Sequence, residues 1–125
     1  MKKISKAKLR KKSDNLWAKL VKLRDGNQCA ICGNQKYLNA HHLISRKVFK
    51  YRWKIENGIS LCPVHHNFSV ELSAHTAPWA FEEWLRKNGT NQYKQHCIDR
   101  QDISNVKTDY EKILYELEDI KQKMK

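Results

Sequence analysis

The sequence predicts an α+β fold: two short strands and a metal knuckle at the centre, an N-terminal helix before them and helices after. Three observations predict it. Two metal-binding half-sites, Cys29-x2-Cys32 and Cys62-x2-His65, bracket residues 33–61. Strand-like apolar stretches, Tyr37 to Leu43 and Gly58 to Leu61, lie inside that bracket. Beyond it, apolar residues recur at helical spacing, most regularly from Ile103 to Met124.

With 125 residues the chain suits one compact domain. No apolar run approaches the ~18 residues of a membrane span, so no membrane partner is expected. The apolar residues near the N-terminus, Ile4, Ala7 and Leu9, are too scattered for a secretory signal, so the expected location is cytoplasmic. The net charge of +12 is uneven. Residues 1–54 hold sixteen Lys/Arg against Asp14 and Asp25, whereas residues 55–125 hold nine against eleven acids. A one-sided positive field draws polyanions by releasing their counterions, which points to nucleic acid ahead of anionic lipid, the alternative being a solubilising basic tail.

In chain order, residues 1–12 read as a disordered basic arm whose Lys2, Lys3, Lys6, Lys8, Arg10, Lys11 and Lys12 contact phosphates. Ser13 can cap a helix over about 14–24, with Leu16, Trp17, Leu20 and Val21 on one face and Gly26 beyond its end. After the strands, Pro63 suits the first turn of a helix running to about Leu72. Pro78 opens another, burying Phe81, Trp84 and Leu85, and Gly89 closes it; a short helix follows over Asn91–Cys97. Residues 13–98 thus form the main domain. Residues 99–125 form an amphipathic helix with an a/d seam of Ile103, Val106, Tyr110, Ile113, Leu117, Ile120 and Met124. That seam either docks on its own domain or forms a homodimer. Trp53, Trp79 and Trp84 are expected in the core.

The four cysteines are Cys29, Cys32, Cys62 and Cys97. Without a secretory signal, a metal site fits them better than disulfides. Cys29, Cys32, Cys62 and His65 supply the four soft or borderline donors that tetrahedral zinc prefers and leave no open position, so this zinc is structural.

Between and beside the half-sites stand Ala40-His41-His42-Leu43, then Asn57-Gly-Ile-Ser-Leu-Cys62-x2-His65-His66. This string resembles the HNH endonuclease family, in its subgroup with a zinc ribbon on a ββα-metal core. His65 stands where that family usually has Cys. His42-Leu-Ile-Ser-Arg46, Arg52-Trp53, Glu56-Asn57 and Ser73-Ala74-His75 with Pro78 look more narrowly like phage-borne members. The resemblance covers about residues 24–85.

What it implies transfers position by position. His42 is the general base for an attacking water. His41 and His66 ligate a catalytic divalent ion, Mg²⁺ or Mn²⁺ foremost, and His75 is a further ligand or a phosphate contact. Asn57 either ligates that ion or holds the loop that orients His42. Arg46 and Arg52 bind phosphates around the scissile bond. Because successive strand residues face opposite ways, His41 and His42 cannot share one role. The implied function is nicking or cutting of double-stranded or branched DNA. The alternative is a zinc-stabilised DNA-binding module that no longer cuts.

Overall fold

The structure, a computed structural model, describes residues 3–124. Among these residues five helices, α1 (Lys6–Arg24), α2 (Phe49–Arg52), α3 (Pro78–Asn88), α4 (Thr90–Asp99) and α5 (Tyr110–Lys123), accompany a two-stranded sheet. Its strands, β1 (Asn39–His42) and β2 (Gly58–Leu61), are antiparallel, with His41 opposite Ile59 and His42 opposite Gly58. A 3-10 turn (Ile55–Asn57) leads into β2, and a π turn (Val64–Phe68) follows it. The mixed α+β class is therefore as expected.

The first helix starts well before Ser13. Ser5 is its N-cap, the Ser5 hydroxyl accepting from the Lys8 N–H at 3.2 Å. Residues 6–12 are therefore helical rather than a disordered arm. Lys, Arg, Ala and Leu are all good helix formers, and Leu9, Ser13, Trp17, Leu20 and Val21 make one buried stripe. Lys3, Lys6, Lys8, Arg10, Lys11 and Lys12 are exposed, and Lys2 lies outside the described residues.

Two further boundaries differ. Tyr37 has φ of 56°, a left-handed conformation that a strand cannot accommodate, so β1 begins at Asn39. The helix expected from Pro63 to Leu72 is only the π turn. There the Ser69 hydroxyl accepts from the N–H groups of Glu71 and Leu72, and the chain reverses until Ala74 N–H reaches the His65 carbonyl at 2.9 Å.

The sheet separates two cores. On one side Cys29, Ile59, Leu61, Cys62, Phe81 and Leu85 pack together; on the other, Trp17, Leu20, Val21, Trp53 and Leu117. The C-terminal seam belongs to the second: Tyr110, Ile113, Ile120 and Met124 pack against it, laying α5 on α1. Ile103 and Val106 are exposed, and the helix starts only at the Asp109 cap, so the regular spacing extends further than the helix. Arg24 and Asp25 bind α1 to the second strand: Arg24 donates to the Gly58 carbonyl, and Asp25 accepts from Ser60 N–H at 2.8 Å. Among the described residues, no helix is long and apolar enough to cross a membrane.

Of the three tryptophans expected inside, Trp53 is buried and Trp84 half-buried. Trp79 is 80% exposed, because the second position of α3 faces away from the core that Phe81 and Leu85 enter.

Candidate metal centre

Cys29, Cys32, Cys62 and His65 converge on one point, their ligand atoms all within 4.8 Å of one another. The Cys29–Cys32 turn is closed by Gly33 N–H donating to the Cys29 carbonyl, with Gly33 at φ of 78°, where a side chain would be strained. Cys62 directly follows β2, and the π turn brings His65 back onto it.

The spacings fit a tetrahedral zinc. Ligands at ~2.3 Å for sulfur and ~2.0 Å for nitrogen place two sulfurs about 3.8 Å apart and a sulfur and nitrogen about 3.5 Å apart. Cys32 Sγ and Cys62 Sγ are 3.7 Å apart, and Cys29 Sγ and Cys62 Sγ lie 3.8 and 3.4 Å from His65 Nδ1. Burial pushes the Cys29 thiol up, but backbone groups of Cys62, Cys32 and Ile31 outweigh it and hold Cys29 below the usual thiol range. Favouring the thiolate suits a metal ligand. These four residues could hold a metal ion such as zinc.

A second cluster adjoins the first. His41, His66 and His75 also bring their ring nitrogens within 4.8 Å of one another. Ring centroids are 5.1 Å apart for His41–His66, 4.9 Å for His41–His75 and 4.6 Å for His66–His75. His75 comes from the loop before α3, held by its own N–H donating to the His66 carbonyl at 3.0 Å. Burial first, then His66 and His75, push His41 down to about 3; burial and His75 lower His66. Both shifts favour the neutral imidazole, the form that ligates a cation.

Each His-His pair in the sequence is split by backbone geometry. In β1, His41 turns to the cluster while His42 turns to α1. In the π turn, His65 enters the knuckle and His66 the second cluster.

His42 stacks on Trp17 with ring centroids 3.9 Å apart and an interplanar angle of 11°. Its Nε2 lies 3.0 Å from the Arg52 carbonyl oxygen. A carbonyl only accepts, so Nε2 carries the hydrogen and Nδ1 is left as the proton acceptor. Burial lowers the His42 imidazole, while the Arg52 carbonyl works in the opposite direction. His41, His42, His66 and His75 line a single cleft of about 610 Å³, together with Arg46 and Lys47.

Asn57 is buried and lies apart from that cleft. Its Oδ1 accepts from Ile44 N–H at 2.7 Å, and its Nδ2 donates to the carbonyls of Ile44 and Tyr51. These bonds tie the Asn57 amide to the loop after β1, one of its two expected roles, and Asn57 does not line the cleft. Arg52, expected on a phosphate, is 8% exposed. Asp14 accepts from its Nε at 3.0 Å and its Nη2 at 2.7 Å, and its guanidinium also lies over Phe49 and Trp53. That arginine is a structural bracket. Arg46 is exposed on the cleft rim.

Sequence reasoning missed Asp14 and Trp17 as neighbours of the site. Trp17 was legible only as a core residue, and Asp14 only as a rare acid in a basic stretch. Comparisons with family models, with curated proteins and with solved structures return no match.

Proposed function

We propose that the chain is a metal-dependent DNA endonuclease of the HNH type. One observation carries this reading: a histidine with a defined proton-accepting nitrogen shares a cleft with a three-histidine cluster, beside a separate four-ligand knuckle.

In this reading zinc at Cys29, Cys32, Cys62 and His65 has no open position and is structural. His41, His66 and His75 would hold a divalent ion, Mg²⁺ or Mn²⁺ foremost, which supplies Lewis-acid stabilisation of the phosphate and the departing 3′ oxygen. His42 takes a proton from water at Nδ1, its Nε2–H remaining on the Arg52 carbonyl. Loss of such a base typically costs about 10²–10⁴ in rate. Arg46 and Lys47, on the cleft rim, hold the flanking phosphates, and the exposed cations of α1 contact backbone phosphates further along. Asn57 keeps the loop between β1 and α2 in place.

The test is incubation of supercoiled plasmid with the purified protein across Mg²⁺, Mn²⁺, Ni²⁺ and Zn²⁺, with EDTA as control. Nicked circle should form, and His42→Ala should abolish it while DNA retention on a gel persists. Retention without cleavage under every metal would instead identify a DNA-binding module.

A further inference from the structure

We propose that Trp17 and Asp14, on helix α1 outside the metal-binding hairpin, are positioning residues that hold the His42 imidazole in its proton-accepting orientation. The inference rests on the reading of His42 as the proton acceptor.

Two features define the orientation of an imidazole ring: the plane it lies in and the nitrogen that keeps its hydrogen. Trp17 controls the first. Its indole lies 3.9 Å from His42 at 11°, a near-parallel stack. The indole itself is held by Nε1 donating to the Lys54 carbonyl at 2.8 Å and is 2% exposed. Asp14 controls the second at one remove. Its carboxylate accepts from Arg52 Nε and Nη2 and from Trp53 Nε1 at 2.8 Å. Arg52 is the residue whose carbonyl receives His42 Nε2–H. Asp14 and Trp17 are three residues apart, so one face of α1 presents both.

Gly58 provides the room. It sits opposite His42 in the sheet, and a Cβ there would lie 2.6 Å from Trp17 Cζ2 and 2.5 Å from Val21 Cγ2. The absent side chain lets the indole slide under the strand and reach the imidazole. A tryptophan needed only for apolar filling has no requirement to lie parallel to a histidine. Misplacing a reacting group by about 1 Å can cost on the order of 10²-fold in rate, so ring orientation is a quantity the rate should register.

The test combines kinetics and NMR on the full, metal-loaded chain. Trp17→Leu fills volume without a plane, Trp17→Phe restores a plane, and Asp14→Asn weakens the hold on Arg52. For Trp17→Leu, kcat for plasmid nicking should fall roughly 10–100-fold with KM for DNA unchanged, and Trp17→Phe should recover most of it. Asp14→Asn should fall in the same direction with KM unchanged. Independently of cleavage, the His42 ring protons should be shifted upfield by the indole, and the ¹⁵N spectrum should show a single Nε2–H form. The upfield shift should vanish in Trp17→Leu, and the two nitrogens should begin to average in Asp14→Asn. Should Trp17→Leu fail to fold, Asp14→Asn and the wild-type His42 ring shifts carry the test. Folded Trp17→Leu or Asp14→Asn with unchanged kcat overturns the proposal, as does a wild-type His42 that already averages between its two neutral forms. If His42→Ala cleaves like the wild type, the proton-acceptor reading falls by itself, and the NMR result still decides whether α1 orders the ring.

Discussion

The Nε2 atoms of His66 and His75 stand 3.1 Å apart. Two neutral rings at that distance need one to donate, whereas nitrogens sharing an ion at ~2.0–2.1 Å sit about 2.9–3.4 Å apart. The distance alone is compatible with either arrangement. His41 completes the triangle from the strand, so a turn, a loop and a strand each contribute one imidazole.

The knuckle should hold about one tightly bound zinc per chain. Cys62→Ser, at a residue 1% exposed, should lose that metal and the cooperative melting transition with it, because ligand binding and folding are coupled in such sites. Metal analysis with a thermal melt checks both. Full melting after metal loss would show that the two cores stand unaided.

His75 is the exposed member of the three-histidine cluster, so His75→Ala should leave the fold intact. It should weaken Ni²⁺ or Mn²⁺ binding by roughly tenfold or more, equivalent to about 1.4 kcal/mol. Titration calorimetry on zinc-loaded protein measures it. Equal affinity in the variant would remove His75 from the ligand set.

Acid should destabilise the protein through His41. An unfolded histidine titrates near 6.5 and folded His41 near 3, so between those values the unfolded state binds more protons. This contribution is fully present above pH ~6.5 and is lost as pH falls toward 3, at about 1.4 kcal/mol per pH unit. Urea midpoints taken from pH 7 to 5 should decline, and His41→Asn should flatten the decline.

Leu117 is 2% exposed in the core that contains Trp17. Leu117→Ala should cost about 2–5 kcal/mol, read from urea unfolding. The wild type should sediment as a monomer, since the apolar face of α5 is already covered by α1.

Neutralising Lys6, Lys8, Lys11 and Lys12 with Gln should weaken DNA binding equally across sequences. Each lost phosphate contact should reduce the slope of log affinity against log salt by about 0.9. A filter-binding series over salt concentration gives the slope directly; an unchanged slope would place the DNA elsewhere on the surface.

The parts of the fold that were legible have local causes. Gly58–Leu61 is a short apolar run beside a ligand, and Pro78 with Gly89 marks both ends of α3 by backbone chemistry alone. The four knuckle ligands and the split of His41 from His42 follow from spacing and strand alternation. What sequence did not reveal depends on distant partners. Charge density over residues 6–12 hid the stripe from Leu9 to Trp17, whose significance needs α5 opposite. Arg52 read as a free cation because Asp14, its partner, is 38 residues away. Asn57 could serve either of two roles by sequence, and its bonds to Ile44 and Tyr51, 13 and 6 residues away, favour holding the loop.

The packing of α5 on α1 bears on the order in which the molecule assembles. The Cys29–Cys32 turn closes locally, and its partner half-site lies within the same hairpin, so metal capture faces only a modest loop-closure entropy. The contact between Trp17 and the Leu117 region joins nearly opposite parts of the sequence and belongs to the slow, non-local class. During synthesis, residues 110–123 emerge after every other described element. The apolar face of α1 therefore gains its α5 cover last, and a half-made chain holds the four knuckle residues before Trp17 and Leu117 share a core.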